Sequence, residues 1–353
     1  MNEAATSILE ALTVTCVAPE RRAPTDPIAL DLYLRGRHEH AKFWGEGNAR
    51  AVDLLKRAHE HAPDEPMIMA GYAAALTRRF ALQTNAESSA ELARSLAERA
   101  LLLSPHLAEA RVVLAALNLN HGRPALATRE LGVALALSPT LADAQDMAGH
   151  LLIELGPIEE GIDRLRAGIT LEPRLVHTRW RIARALALLG RWDQCYAMFD
   201  RLPEADDARH LFWFTRARLA MWRGDSATVA TFEHEIGEGG AYFCVLSNAM
   251  CRLTRGGSTA DPVFAAIDSL EEGCNPRRFA FLEQLRAEML ARLGEHDGAV
   301  DAIERAEKAG LVDVSWLDRC PLLDPMRHGP RFQAVRAIVH ARAQKALSAL
   351  ASE

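Results

Sequence analysis

The chain has 353 residues, 49% of them hydrophobic, 25% charged and 6% aromatic, a balance that excludes wholesale disorder and, with Ala, Leu, Arg and Glu abundant, favours helices. Its 41 basic and 47 acidic side chains leave a formal charge of −6, which draws neither nucleic acid nor an anionic membrane to the molecule as a whole. Six scattered cysteines without a C-x-x-C pair speak against a zinc site and a compact disulfide framework, and point to a reducing, cytoplasmic setting.

Along the chain, the first expected element is a short helix over about residues 4–13, followed by VAPERRAPTDP, whose prolines and charges read as a linker. The opening MNEAATSILEALTVTCVAPERR has no basic region ahead of its apolar stretch, and no later run is long enough to span a bilayer, so export and membrane insertion are disfavoured. From about Pro27, IALDLYLRGRHEHAKF supplies one helix, with Leu34 and Gly36 within it. After an insertion around Trp44 to Gly47, a second helix carries Ala51, Leu55 and Ala58 and stops at Pro63. A further pair starts at Pro66, and the polar stretch from Gln83 to Ser89 is expected to form a protruding loop before ELARSLAERALLLSP.

The next units keep one interval. Gly122, Gly156, Gly190 and Gly224 are each 34 residues apart, and Pro105, Pro139 and Pro173 keep the same spacing. The glycine belongs in a left-handed turn between two helices, and the proline ends each unit because it lacks the amide that another turn requires. Small residues recur where paired helices cross: Ala115, Ala127 and Ala134, then Gly149, Gly161 and Gly168, then Ala183. LFWFTRARLAMWRGDSATVATFEHEIG forms a sixth unit, a looser seventh displaces its glycines to Gly256 and Gly257, and an eighth carries Ala287, Gly294, Ala299 and Ala306. After Gly310, a turn-rich segment and one amphipathic helix read as a cap over the exposed end of the array.

The 34-residue period resembles that of the tetratricopeptide repeat, a helix pair that stacks on its neighbours to bury its apolar face. That resemblance implies an all-α, right-handed α-solenoid of about eight helix pairs with a C-terminal capping helix. The chain then divides into an N-terminal helix and linker over 1–26, a repeat array over 27–310 and a C-terminal cap over 311–353. PTDPIALDLYLRGRHEHAKF, the units after it and SWLDRCPLLDPMRHGPRF together resemble the C-terminal repeat region of bacterial multidomain signalling proteins, namely serine/threonine kinases, class III nucleotide cyclases and winged-helix regulators. In these the repeats are implied to recruit or regulate while a separate domain catalyses or binds DNA. No Walker lysine loop, kinase H-R-D or D-F-G signature is present, and GEGG at Gly237 to Gly240 reads as a loop between repeats.

Positions 5, 9 and 13 of each unit are expected to face the concave groove. They hold Trp180, Arg184 and Leu188 in the fifth unit and Phe214, Arg218 and Trp222 in the sixth. Two aromatics and two guanidiniums, each one repeat apart, would form parallel rows able to hold a peptide with an acidic or terminal carboxylate, since arginine forks bind carboxylates through two hydrogen bonds. The rival reading is that the aromatics fill gaps between units, as expected of Trp192 and Trp213. In the fourth unit Asp146, His150 and Glu154 fall on one helical face and read as solvated groove polarity, a divalent cation being the sharper alternative. His38, His40, His59 and His61 read as surface histidines, and Cys244 and Cys251 as small apolar residues.

The sequence reads as a noncatalytic, cytoplasmic adaptor or regulatory module without cofactor or metal, binding a protein or peptide partner rather than nucleic acid or membrane. The alternative is a solenoid that senses a small molecule and regulates a separate effector. A hidden enzyme using Cys195 or His150 is the third reading, and no nucleophile, base and orienting group assemble for it.

Overall fold

The computed structural model describes residues 26–42, 46–200, 206–237, 242–257 and 262–350. The expected helix over residues 4–13, the linker up to residue 25, Cys16, Trp44 and the Gly237 to Gly240 loop beyond its first residue lie outside them.

Among the described residues the fold is all helical, without a strand. Unit one pairs α1 (Pro27–Ala41) with α2 (Glu46–His61), and unit two α3 (Pro66–Leu82) with α4 (Glu87–Leu103). Units three and four are α5 (Ala108–Asn120) with α6 (Pro124–Leu137), and α7 (Ala142–Leu155) with α8 (Ile158–Leu171). Unit five is α9 (Val176–Leu188) with α10 (Trp192–Ala197), and unit six α11 (Asp206–Arg223) with α12 (Ser226–Ala230) and a 3-10 turn over Glu233–Glu235. Unit seven joins α13 (Tyr242–Thr254) to α14 (Pro262–Glu271), and unit eight α15 (Pro276–Leu293) to α16 (His296–Lys308). The cap holds α17 (Val314–Arg319), a 3-10 turn over Pro321–Met326 and α18 (Pro330–Leu350).

The periodic residues act as their chemistry demands. Gly122, Gly156, Gly190 and Gly224 have φ of 69°, 124°, 72° and 67°, backbone that L side chains adopt only with strain. Ser104, Ser138 and Glu172 each leave the helix with φ between −146° and −138°, because the ring of the following proline disfavours helical backbone before it. Small residues set the crossings. A Cβ on Gly149 would lie 2.7 Å from the Gly161 carbonyl oxygen, and one on Gly161 would lie 2.6 Å from that of Gly149, so α7 and α8 touch backbone to backbone.

Two expectations change. The polar stretch after α3 is no protruding loop: α3 itself runs on to Leu82, and the Asn85 amide donates to the Gly273 carbonyl at 2.8 Å. The second helices of units five and six are cut short. Past Ser226–Ala230 the backbone tightens to i→i+3 bonds, which seats Phe232, 1% exposed, against Trp213 with ring centroids 5.4 Å apart.

The cap does more than cover an end. The array curls until unit eight and the cap lie against units two to five: α15 meets α3 and α5, α17 meets α7 and α9, and α18 lies along α6 and α7. Asn275 donates to the Phe80 carbonyl at 2.9 Å, and Gly310 abuts Gly122, whose Cα would be 3.1 Å from an added Cβ. Leu317 and Leu323 of the cap are 0% exposed, each burial contributing roughly 1.5–3 kcal/mol. The apolar interior forms two bodies, one from Ala29 to Leu117 and the other from Ala115 to Ala346.

Candidate binding site on the first-helix face

Groove positions on α9 and α11 were expected to face solvent, and burial decides otherwise. Trp180 is 4% exposed, Phe214 3%, Arg218 4% and Trp222 2%. The two aromatic positions do not share a row. Trp180 stacks on Phe199 at 5.5 Å and meets Phe212 edge-on at 5.1 Å, whereas Phe214 packs against Phe243 at 5.0 Å and Phe281 at 6.3 Å. Arg184 and Arg218 do converge, with their guanidinium carbons 5.9 and 5.3 Å from the Trp222 ring.

The carboxylates that these arginines hold belong to the same chain. Arg218 donates through Nε and Nη2 to Glu288 of α15 at 2.9 and 2.6 Å, and the Trp316 indole donates to the same carboxylate at 2.7 Å. Arg184 pairs with Asp313, which also accepts from Gln284 at 3.2 Å and caps α17 through the Trp316 amide. The open peptide groove expected at Trp180, Arg184, Phe214, Arg218 and Trp222 is therefore closed. Glu288, Asp313 and Trp316 lie about 70 to 130 residues from the arginines, and no local spacing announces them.

Asp146, His150 and Glu154 line the same face, where Asp146 and Glu154 are buried rather than solvated and His150 keeps 28% of its exposure. Asp146 pairs with Arg181 and accepts from Thr178 at 2.6 Å and His177 at 3.4 Å. Burial alone would raise its carboxyl, yet Arg181, His177 and Thr178 hold it far below the usual range. Glu154 pairs with Arg277 of α15 and lies 3.2 Å from His150. It too is held low, as Arg277 and His150 outweigh burial. Burial, then Arg181, lowers His150, which favours its neutral ring. The cations that answer these carboxylates are guanidiniums.

The face stays accessible at its N-terminal end. Arg37 of α1 lies 3.8 Å from Asp143 of α7, with their side chains 36% and 38% exposed, against 5% and 0% for Arg218 and Glu288. Around that edge stand Arg78 of α3, which donates to the His40 carbonyl, and Arg181 of α9, 24% exposed. His40 is not the surface histidine expected: its Nδ1 is buried without a hydrogen-bond partner among the described residues. Burial, then Arg78, Arg37 and His177, drives its ring well below the ordinary value, so it is neutral near pH 7. The sequence offered no sign of this edge beyond the period itself, since Arg37, Arg78, Asp143 and Arg181 come from four separate helices.

No family model matches the sequence, and neither does any curated protein. Solved structures do match. Yeast Tom70 is similar at 14% identity over 89% of this chain and 68% of its own, with a TM-score of 0.46. Human IFIT1, solved as a dimer with m7Gppp-AAAA, is 14% identical over 99% of this chain and 74% of its own, with a TM-score of 0.41. A tetratricopeptide repeat protein from Parabacteroides merdae is 13% identical over 89% of this chain and 99% of its own, with a TM-score of 0.36. At these identities the likeness concerns the fold alone.

Proposed function

We propose that the chain is a noncatalytic adaptor or regulatory module that captures a protein segment on the accessible end of its first-helix face, where Arg37 and Asp143 keep about a third of their exposure. That exposure carries the reading, because the rest of the face is occupied by the chain's own α15 and α17. A segment bearing both charge signs suits an edge where arginine and aspartate stand together, and its affinity falls with salt because the pair is solvent-screened. The noncatalytic part of the reading is supported by Cys195, 0% exposed and pushed up to about 12 by burial, where no thiolate is available as nucleophile. The resemblance to bacterial signalling proteins supports a role in signalling or transcriptional regulation. The five cysteines among the described residues are free, in keeping with a reducing cytoplasm.

The test reverses the edge. Arg37→Glu with Asp143→Arg should weaken capture of a partner recovered on the wild-type chain by tenfold or more, with cross-links from that partner mapping to α1 and α7 in the wild type and with an unchanged thermal melt. Equal retention by both proteins would refute the reading. A cavity of about 540 Å³ beside Glu233, His234, Val245, Asn248, Cys251 and Arg252 favours the alternative, a small-molecule sensor. Calorimetry against fractionated metabolites separates the two, since a sensor gives heat without a protein partner.

A further inference from the structure

We infer that the contact of the α14–α15 turn with the end of α3 is a pH-sensitive latch, closed while Glu271 and Glu283 share a proton and loosened when Glu271 ionises. The latch goes beyond the proposed function and does not depend on it.

Geometry sets up the sharing. The Nε–Nη2 edge of a guanidinium fits the two oxygens of one carboxylate, as that of Arg218 fits Glu288. Arg286 instead offers this edge to two carboxylates, with Nε 3.2 Å from Glu283 and Nη2 3.2 Å from Glu271, and Nη2 also donates to Asp268 at 2.6 Å. Arg305 of α16 lies 2.9 Å from the second Glu283 oxygen. Three carboxylates thus face two guanidiniums, and one proton removes the excess negative charge. Burial, then Glu283, pushes the Glu271 carboxyl up to about 7 against the pull of Arg286.

The other charged groups nearby have roles of their own. Glu272 is exposed, and burial raises the Cys274 thiol despite Arg278, so it stays protonated near neutral pH. Arg252 of α13 lines the cavity beside Glu233, and Arg255 pairs with Glu233. Across the contact stands His121, just past α5, its ring 4.9 Å from that of Phe80 and its Nε2 2.9 Å from Glu87.

Glu271 is the last residue of α14, and the stretch tied to α3 begins two residues on. The Gly273 carbonyl accepts from the Asn85 amide at 2.8 Å, Asn275 donates to the Phe80 carbonyl at 2.9 Å, and Arg278 donates to that of Leu82. The fit is tight: a Cβ on Gly273 would run into the Asn85 side chain, and Asn85 itself has a φ of 53°, a left-handed backbone that few side chains adopt. The Glu283 side chain is 1% exposed and that of Glu271 15%. On ionisation Glu271 is therefore the member that swings toward water, and the end of α14 draws the Gly273 turn off Asn85. A carboxyl near 7 in the closed contact and near 4.5 in the open one favours closure fully below about 4.5, and that advantage is lost as pH rises through about 7. From pH 6 to pH 8, opening becomes about tenfold more favourable.

The experiment is amide hydrogen exchange on the full chain at pH 6 and pH 8, read as protection factors so that the intrinsic pH dependence of exchange cancels. In the wild type, protection of the Asn85 amide should fall about tenfold at pH 8 while amides of α8 keep theirs. Glu271→Gln cannot ionise and should protect Asn85 equally at both pH values. His121→Gln should retain the fall. Wild-type protection at Asn85 that does not change between pH 6 and pH 8 overturns the latch, and this comparison needs no variant to fold. A fall that persists in Glu271→Gln, disappears in His121→Gln or is matched in α8 overturns it as well.

Discussion

Arg218 and Glu288 meet through two hydrogen bonds, with no more than 5% of either side chain exposed. Removing one member of such a pair strands the other charge in the interior, at a cost of about 3–5 kcal/mol. Glu271 is in a different position. Its carboxyl shares a site with Glu283, 1% exposed, and with Arg286, which also reaches Asp268 at 2.6 Å, while Arg305 lies 2.9 Å from Glu283. Burial, then hydrogen bonding to Glu283 and its charge, pushes Glu271 up to about 7 in spite of Arg286. A carboxyl raised on folding stabilises fully below its unfolded value, near 4.5, and that contribution is lost as pH rises through about 7. Glu271→Gln mimics the protonated form, so its melting temperature should exceed that of the wild type at pH 8 and match it near pH 4.5. Equal melts at pH 8 would contradict the shared-proton arrangement.

At the scale of an element, α7 and α8 show what the small-residue pattern is for. Gly149 and Gly161 face each other so closely that a methyl on either meets the other's carbonyl oxygen at 2.7 or 2.6 Å. Gly161→Ala should therefore destabilise by about 1–3 kcal/mol, the cost of overpacking a tight contact. Urea unfolding at 25 °C measures this, and a loss below about 0.5 kcal/mol would mean that the helices part without penalty. Gly190 serves another purpose. Nothing lies within 4 Å of the Cβ it would carry, and its φ of 72° alone explains the residue. One letter in a periodic pattern thus answers to two causes, steric in the crossing and torsional in the turn.

For the whole molecule, the consequence is closure. An open solenoid is stabilised by each unit and its neighbours, but here α15 is also tied to α3 through Asn275 and Phe80, and Arg278 donates to the Leu82 carbonyl. Asn275 caps α15 by accepting from the Arg278 amide at 3.0 Å. Asn275→Asp keeps that cap and removes the donor to Phe80, separating the two roles. Amide exchange should then quicken in the last turn of α3 and at Asn85, with α8 unchanged. Exchange that rises equally in α8, or nowhere, would show that the contact does not hold the ends together.

Helix pairs, their turns and their small-residue crossings were legible from the sequence because each depends on neighbours a few residues away or one 34-residue step along. Gly122, Pro105 and Gly161 carry their causes in their own backbone or in the adjacent helix. Trp180, Arg184, Phe214, Arg218 and Trp222 were read as a groove because the repeat does turn that face inward. Whether an inward face meets solvent or protein depends on how far the array curls, a sum of small rotations that no single unit encodes. Curling brings Glu288 and Asp313 to arginines far away in the chain and leaves Arg37 and Asp143 at the accessible end of the face. Periodicity is a local property; the choice of which polar groups find partners inside the chain is made only when its two ends meet.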